Sequence, residues 1–458
     1  MNAVLLIAVP LLVGFLSILM KKVAPYLLLV VSFLSVVSLD YVTKGVVVIG
    51  NFKAPYGIEL IVDDYAIAGL YIVNILFFLV AILSLCDYKK IGSILLISLA
   101  GLNGLLLTGD LFNLFVFLEI AGISAYLITT TNRKPLATFH YLVLGTVGSS
   151  FYLLGLIILY GMFHTLNLGV LSNLIAQVNP ALVSLPLLFM FIGLGVEAKL
   201  LPLNAWVKGI LESSNPLSGP MIASVYASTM VLVFGRILTQ LFVFNETLMT
   251  IVSVVLVVSI IAGEAMAYAS SRAKHILLYS SIAQAAIAVI VFVHGLTDLG
   301  IMLVALNGFS KLILFGSITV IERQIGSDTL TDLKGVFTDN KLIGFAFSVA
   351  VLSILGLPLF AGFFVKLHIL MRFANTDLLW LVIVILMSSV VEGVYFIKLS
   401  MTLWYGESEN KRVVFSTSTV YAYLIIALLL VVFGVFFTPF ESLFDVISTM
   451  KGVYSWLI

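Results

Sequence analysis

The sequence predicts an all-α polytopic membrane protein of about fourteen transmembrane helices, and two observations carry that reading. Hydrophobic residues make up 62% of the 458 positions and charged ones 10%, with a mean hydropathy of +1.22, far from the composition of a soluble domain. The apolar runs are also long and continuous, where the strands of a lipid-embedded barrel would alternate. In lipid every backbone N–H and C=O must be paired within a helix or a closed barrel. Runs of roughly 20 apolar residues are therefore spanning helices.

In chain order the spans fall at 2–20, 24–40, 66–86, 91–109, 111–131, 138–163, 181–203, 216–242, 246–270, 277–296, 299–321, 341–371, 378–404 and 417–438. The first run lacks a basic leader and ends in Lys21-Lys22, so it is expected to be a membrane helix and not a cleaved signal. Segment 43–64, with Gly50, Pro55, Gly57 and alternating Val and Ile, reads as a short extracellular hairpin, and 164–180 as an interfacial segment. Neither makes a separate soluble domain.

Orientation follows from the 23 basic residues. Fourteen stand in loops after odd-numbered helices: Lys21, Lys22, Lys89, Lys90, Arg133, Lys134, Lys208, Arg272, Lys274, Arg323, Lys334, Lys341, Lys411 and Arg412. Only Lys44, Lys53, Arg372 and Lys451 stand after even-numbered helices or in the tail. Basic loops stay in the cytoplasm, so both termini are expected outside a multi-pass cell membrane protein. The remaining five, Lys199, Arg236, Lys311, Lys366 and Lys398, fall inside predicted helices.

A charge at the bilayer centre costs from about 2.5 kcal/mol upward, so intramembrane ionisable groups line an ion path or pair with one another. Glu119, Glu197, Lys199, Lys311, Lys366 and Glu392 lie well inside predicted helices. Arg236 and Lys398 lie nearer helix ends and are expected to snorkel to the interface. Desolvation brings lysine and carboxylate titration towards neutrality, and an approaching opposite charge reverses the shift, so a row of such groups can pass protons. Paired charges that merely lock helices together are the alternative.

Two predicted helices carry proline at depth beside a lysine: Lys199-Leu-Leu-Pro202 in the seventh, and Gly356-Leu-Pro358 with Lys366 in the twelfth. Proline removes a helix hydrogen bond and breaks the ladder. Interrupted helices in corresponding halves point to a midplane ion site.

Several function classes are excluded. A net charge of +1 gives no reason to expect nucleic acid. The single cysteine, Cys86, rules out an internal disulfide or a cysteine cluster and reads as a small packed hydrophobe. His140 and His368 lie near predicted helix ends and His164, His275 and His294 near interfaces, with no i, i+4 pair, so no metal centre is expected. Nucleotide or cofactor binding is not expected either, since no Walker loop or dinucleotide fingerprint is present.

The stretch Gly109-Asp-Leu-Phe-Asn-Leu-Phe-Val-Phe-Leu-Glu119, with Tyr126 after it, resembles a glutamate-bearing fifth helix. The family is that of antiporter-like subunits shared by Mrp-type sodium/proton antiporters, respiratory complex I and membrane-bound hydrogenases, and the match is nearest the Mrp D-type version. Further matches are Gly57-Ile-Glu-Leu-Ile-Val-Asp63, Lys274-His-Ile-Leu-Leu-Tyr-Ser-Ser281, Lys311-Leu-Ile-Leu-Phe315, Gly356-Leu-Pro358 and Gly362-Phe-Phe-Val-Lys366. The resemblance spans roughly residues 50 to 405. It implies two inverted five-helix repeats, each with a broken helix and a half-channel: residues 91–242 and 246–404, between an N-terminal unit 1–90 and a C-terminal helix and tail 405–458. By the resemblance Glu119 is the family glutamate, Lys311 the central lysine, and Lys366 the lysine of helix twelve.

Other positions depart from the family pattern. The family's helix-seven lysine stands five residues before the proline of a Pro-x-x-x-Trp motif, a place held here by Glu197, with Lys199 two residues later. Two positions are about 200° apart on a helix, so Lys199 replaces the missing lysine only if the break rotates it towards Glu119 and Glu197. The chain is expected to do this, because a lysine without a partner in lipid is costly. Ser228 stands for the family's helix-eight lysine and Asn307 for its histidine four before the central lysine. With Glu392 and His140, Ser228 and Asn307 are accessory candidates.

The expected function is a proton-translocating or sodium/proton-translocating subunit that works beside other membrane subunits of an Mrp-type antiporter or of a redox-driven complex. A structural subunit whose first half no longer conducts is the competing reading, favoured by Glu197 and Ser228. A third, that the chain itself reduces quinone, would need redox chemistry from partners.

Overall fold

The computed structural model describes residues 1–20, 22–50, 52, 54, 57–84, 91–376, 378–406 and 413–437. Lys21, Lys53, Pro55, Cys86, Lys89, Lys90, Lys411, Arg412 and Lys451 lie outside the described residues.

The chain opens with α1 (Leu5–Leu19) and α2 (Ala24–Ser38), then an antiparallel hairpin of β1 (Gly45–Val48) and β2 (Glu59–Val62) with Gly45 opposite Val62. Next come α3 (Asp64–Ser84), α4 (Gly92–Leu107), α5 (Leu111–Thr129), α6 (Pro135–Phe163), the short α7 (Leu168–Ile175), α8 (Pro180–Glu197) and α9 (Ala205–Glu212). One turn, α10 (Ser218–Pro220), runs through a π-helical stretch at Met221–Tyr226 into α11 (Ala227–Leu241). The second half holds α12 (Glu246–Tyr268), α13 (Ala273–Val293), α14 (Thr297–Ile325), α15 (Lys341–Leu355), α16 (Ala361–Ala374), α17 (Leu379–Trp404) and α18 (Thr417–Val435). Among the described residues eleven helical stretches are long and apolar enough to cross a membrane, and the shorter apolar helices α1, α4 and α15 bring the number to the fourteen expected.

Local chemistry sets the boundaries. Pro135 starts α6 at its first position, where a missing N–H costs nothing. Asp110, Asn167, Asn179, Asn245 and Ser416 each accept a backbone N–H at the start of a helix, the usual N-cap arrangement. Asp63 does the same for α3 by accepting from Ala66 N at 2.8 Å.

Lipid selects which helices lie inside. The best apolar windows of Ser218–Leu241, α13 and α14 are 94% buried, against 33% for α6. Those three form the core, and α1, α2, α6, α12, α17 and α18 present large exposed apolar side chains such as Phe15, Phe33, Ile157, Ile261, Met387 and Ile425. Glycine brings α6 and α8 into close contact: a Cβ on Gly193 would stand 2.7 Å from the Gly148 carbonyl oxygen. Small residues permit such approach where lipid supplies no hydrophobic drive between helices.

The seventh and twelfth predicted helices are broken where the prolines stand. α8 closes in a Schellman motif: Leu200 N donates to Gly195 O, and Lys199 N to Val196 O. Lys199 holds the left-handed position at φ +67°. α15 closes in the same way, Leu357 N donating to Leu352 O and Gly356 N to Ser353 O, with Gly356 at φ +73°.

Four placements need correction, and two of them are simple extensions of helices past the expected bounds: Lys208 lies within α9 and Arg323 in the last turn of α14, not in loops. Arg236 does not snorkel: it is buried in α11 and pairs with Asp63 at 2.8 Å. A partner 173 residues earlier satisfies the charge inside the bundle. Lys274 is not a loop residue either, since α13 begins at Ala273 and not near 277. Its side chain is buried, paired with Glu322, and donates to the Glu212 and Ser214 carbonyl oxygens at 3.1 and 2.6 Å, which terminate α9. Lys398, by contrast, is exposed on α17.

Candidate functional site

A line of ionisable groups crosses the bundle at mid-helix depth. It begins on α5, where the Asp110 cap sets the helix phase and Glu119 lies one turn-pair before Tyr126. Two residues seven apart share a helix face. Glu197, in the last turn of α8, interacts electrostatically with Glu119, and both act on the Tyr126 phenol. Tyr126 meets Tyr141 edge-on at 4.7 Å between centroids, and Tyr141 stacks on Trp206 at 4.0 Å. Trp206 Nε1–H donates to Val196 O at 3.1 Å, the same carbonyl that accepts from Lys199 N in the closing turn of α8. Trp206 thus holds the break of the Pro-x-x-x-Trp motif in place.

Lys199 does not join Glu119 and Glu197. Its left-handed backbone swings the side chain out of the α8 surface and into a cavity of about 20 Å³ shared with Ser228, Ser281, Gln284, Asn307 and Lys311. Among the described residues its Nζ has no hydrogen-bond partner, and the charge it senses is Lys311. The break does turn the lysine, but not towards Glu119 and Glu197 as expected: it sends the side chain along the row to the second half.

Lys311 lies at the middle of α14, buried among α11, α13 and α16, and feels the charge of Glu392. Glu392 is fully buried on α17 and organises the far end of the row. Its Oε2 accepts from Lys366 Nζ at 2.9 Å, and its Oε1 accepts from Gln284 Nε2 at 2.6 Å. Asn307 Nδ2 in turn reaches Gln284 Oε1 at 3.4 Å, so amides connect the cavity to the ion pair. Lys366 Nζ also approaches Leu355 O at 3.5 Å, a carbonyl freed by the break after α15. A cation is favoured there by the negative end of the helix dipole. Pro202 and Pro358 both fall in the breaks, between α8 and α9 and between α15 and α16.

The structure therefore brings together Lys199, Ser228, Asn307, Lys311, Glu392 and Lys366, and separately Glu119 with Glu197. His140 sits on the exposed face of α6, and among the described residues no hydrogen bond ties it to the row. Sequence reasoning missed Gln284 and Glu264. Glu264 is buried on α12, accepts from Ser388 Oγ at 3.0 Å and interacts with Glu392. Its charge inside the ninth predicted span was the available signal. Gln284 left none beyond one amide in an apolar run.

Beyond the row, Arg272 pairs with Glu212 and, at 2.8 Å, with Asp328. His275 Nε2 stands 3.4 Å from Glu212. This cluster joins the ends of α9, α13 and α14 at the opposite end of the bundle from the β-hairpin, since α11 returns from it to meet Asp63.

Known proteins are similar to this chain in sequence and in fold. The profile of the family described as "NADH:quinone oxidoreductase/Mrp antiporter, TM" matches residues 108–392. NADH-quinone oxidoreductase subunit N of Desulforudis audaxviator is 31% identical over 373 residues, covering 76% of this chain and 73% of the relative. Among solved structures, a chain of the membrane-bound sulfane sulfur reductase, described as an archaeal respiratory membrane complex, superposes with a TM-score of 0.90 at 28% identity over 98% of this chain and 97% of that one. A chain of the Mrp complex from Dietzia sp. DQ12-45-1b gives a TM-score of 0.90 at 18% identity, covering 99% and 98%, a likeness of fold.

Proposed function

Because the chain belongs to the NADH:quinone oxidoreductase/Mrp antiporter transmembrane family, we propose that it is a proton-translocating subunit of a larger membrane complex. The observation that carries this is the Lys199–Lys311–Glu392–Lys366 row, buried between two helix breaks. Glu392 is the movable counter-charge of the scheme. While it holds Lys366, the lysine keeps its proton; when Glu392 turns towards Lys311, Lys366 is left desolvated and releases it. Gln284 and Asn307 supply neutral groups through which the shift reaches the cavity.

Glu119 and Glu197 form the entry of the first half. The scaffold reading, with a non-conducting first half, gains nothing from this grouping, because both carboxylates remain together and Lys199 still continues the row.

Redox chemistry belongs to partner subunits in this scheme. The subunit N relative and the sulfane sulfur reductase are parts of redox complexes by name, which favours a redox drive over exchange against sodium alone. The basic-residue bias places the Arg272 cluster in the cytoplasm and both termini outside.

The test is Lys311→Met and Glu392→Gln in the intact complex, reconstituted in vesicles and assayed for proton movement with and without sodium. Loss of movement with normal assembly is expected. Unimpaired movement in both variants would sink the proposal.

A further inference from the structure

We infer that the cavity between Lys199 and Lys311 binds a small monovalent anion of halide size. Three observations converge on it. The lining is rich in donors: two ammonium groups, the hydroxyls of Ser228 and Ser281, and the amide of Asn307. No carboxylate lines it; Glu392, the acid whose charge Lys311 feels, is occupied by Lys366 and Gln284. Two of the donors, Lys199 Nζ and Ser281 Oγ, are buried with no hydrogen-bond partner among the described residues, although Lys199 is 2% exposed and Ser281 1%.

Buried donors without acceptors are unfavourable, and two neighbouring ammonium groups repel. One anion between them answers both conditions, turning a repulsion into two attractions that the low-dielectric surroundings strengthen. The same two charges exclude a cation. The cavity of about 20 Å³ has room for about one water-sized particle, the size class of a halide. Chloride is the abundant ion of that description.

Backbone geometry supports the assignment. A non-glycine residue in the left-handed region is strained, yet Lys199 takes that conformation and by it reaches the cavity. The inference goes beyond the proton path proposed above, and its test needs no transport.

The intact complex is purified in gluconate and titrated with radioactive chloride at equilibrium, and the Lys199→Met, Lys199→Arg and Ser281→Ala variants are treated alike. Wild type is expected to bind one chloride more per copy of this chain than Lys199→Met, and Lys199→Arg to keep that chloride. Ser281→Ala is expected to weaken its binding about 2- to 10-fold. Equal chloride binding by wild type and Lys199→Met would overturn the site and leave a water in the cavity. Should Lys199→Met fail to assemble, unchanged affinity in Ser281→Ala overturns it instead. Failure of chloride binding with proton movement intact refutes the anion site alone, and the converse result refutes the proton path alone.

Discussion

At the scale of single residues, the Lys366–Glu392 pair shows how a buried charge is tolerated and used. Breaking a buried ion pair from one side costs more than removing both partners, because it strands a charge. Lys366→Ala is accordingly expected to abolish coupled proton uptake into vesicles while the complex still assembles, since Glu392 can take up a proton. Full pumping by that variant would remove Lys366 from the path. Thermal denaturation of the complex should drop further for Lys366→Met than for the Lys366→Met, Glu392→Gln double variant. Lys199 separates backbone from charge: a left-handed non-glycine residue costs roughly 1–2 kcal/mol. Lys199→Gly should therefore be more stable than Lys199→Ala by about 1 kcal/mol, though both lose the same ammonium. Equal melting temperatures would mean that the break carries no strain at this position. Which way Lys199 turns was not legible in the sequence. A helix wheel gives its angle on an unbroken helix, and a single left-handed residue resets that angle.

Among the elements, the helices were legible because apolar length is a strong signal in lipid, and the two breaks because proline forbids the ladder. Contacts between distant elements were not. Arg236 sits five residues from the end of α11, where snorkelling is the local expectation, yet it also donates to Leu106 O at 2.8 Å and lies 5.8 Å from the Tyr65 ring centroid. It joins α11 to the ends of α3 and α4. Arg236→Gln should strand the Asp63 charge at a cost of about 3–5 kcal/mol, seen as loss of assembled complex from membranes; normal yield and melting would make the pair dispensable. The α6–α8 contact depends on shape alone. Gly193→Ala places a methyl 2.7 Å from both Gly148 O and Tyr152 Cβ, and should destabilise by about 1–3 kcal/mol through overpacking.

For the whole molecule, the β-hairpin and the Arg272 cluster lie at opposite ends of the bundle, and the orientation proposed above puts the cluster in the cytoplasm. Impermeant thiol reagents should label cysteines introduced at 43–50 from outside intact cells and spare those at 272–275; labelling of the latter would invert the orientation. Glu119, Lys311 and Glu392 each stand near the middle of a spanning helix, so the row runs parallel to the membrane plane. A charge crossing the full membrane potential gains or loses about 2.3 kcal/mol per 100 mV, but one that moves sideways at constant depth crosses almost none of it. Electrical work is done only on the short vertical legs that join the row to either surface. A defect within the row should thus lower current by the same factor at every applied voltage, whereas a defect in a leg would bend the current–voltage curve.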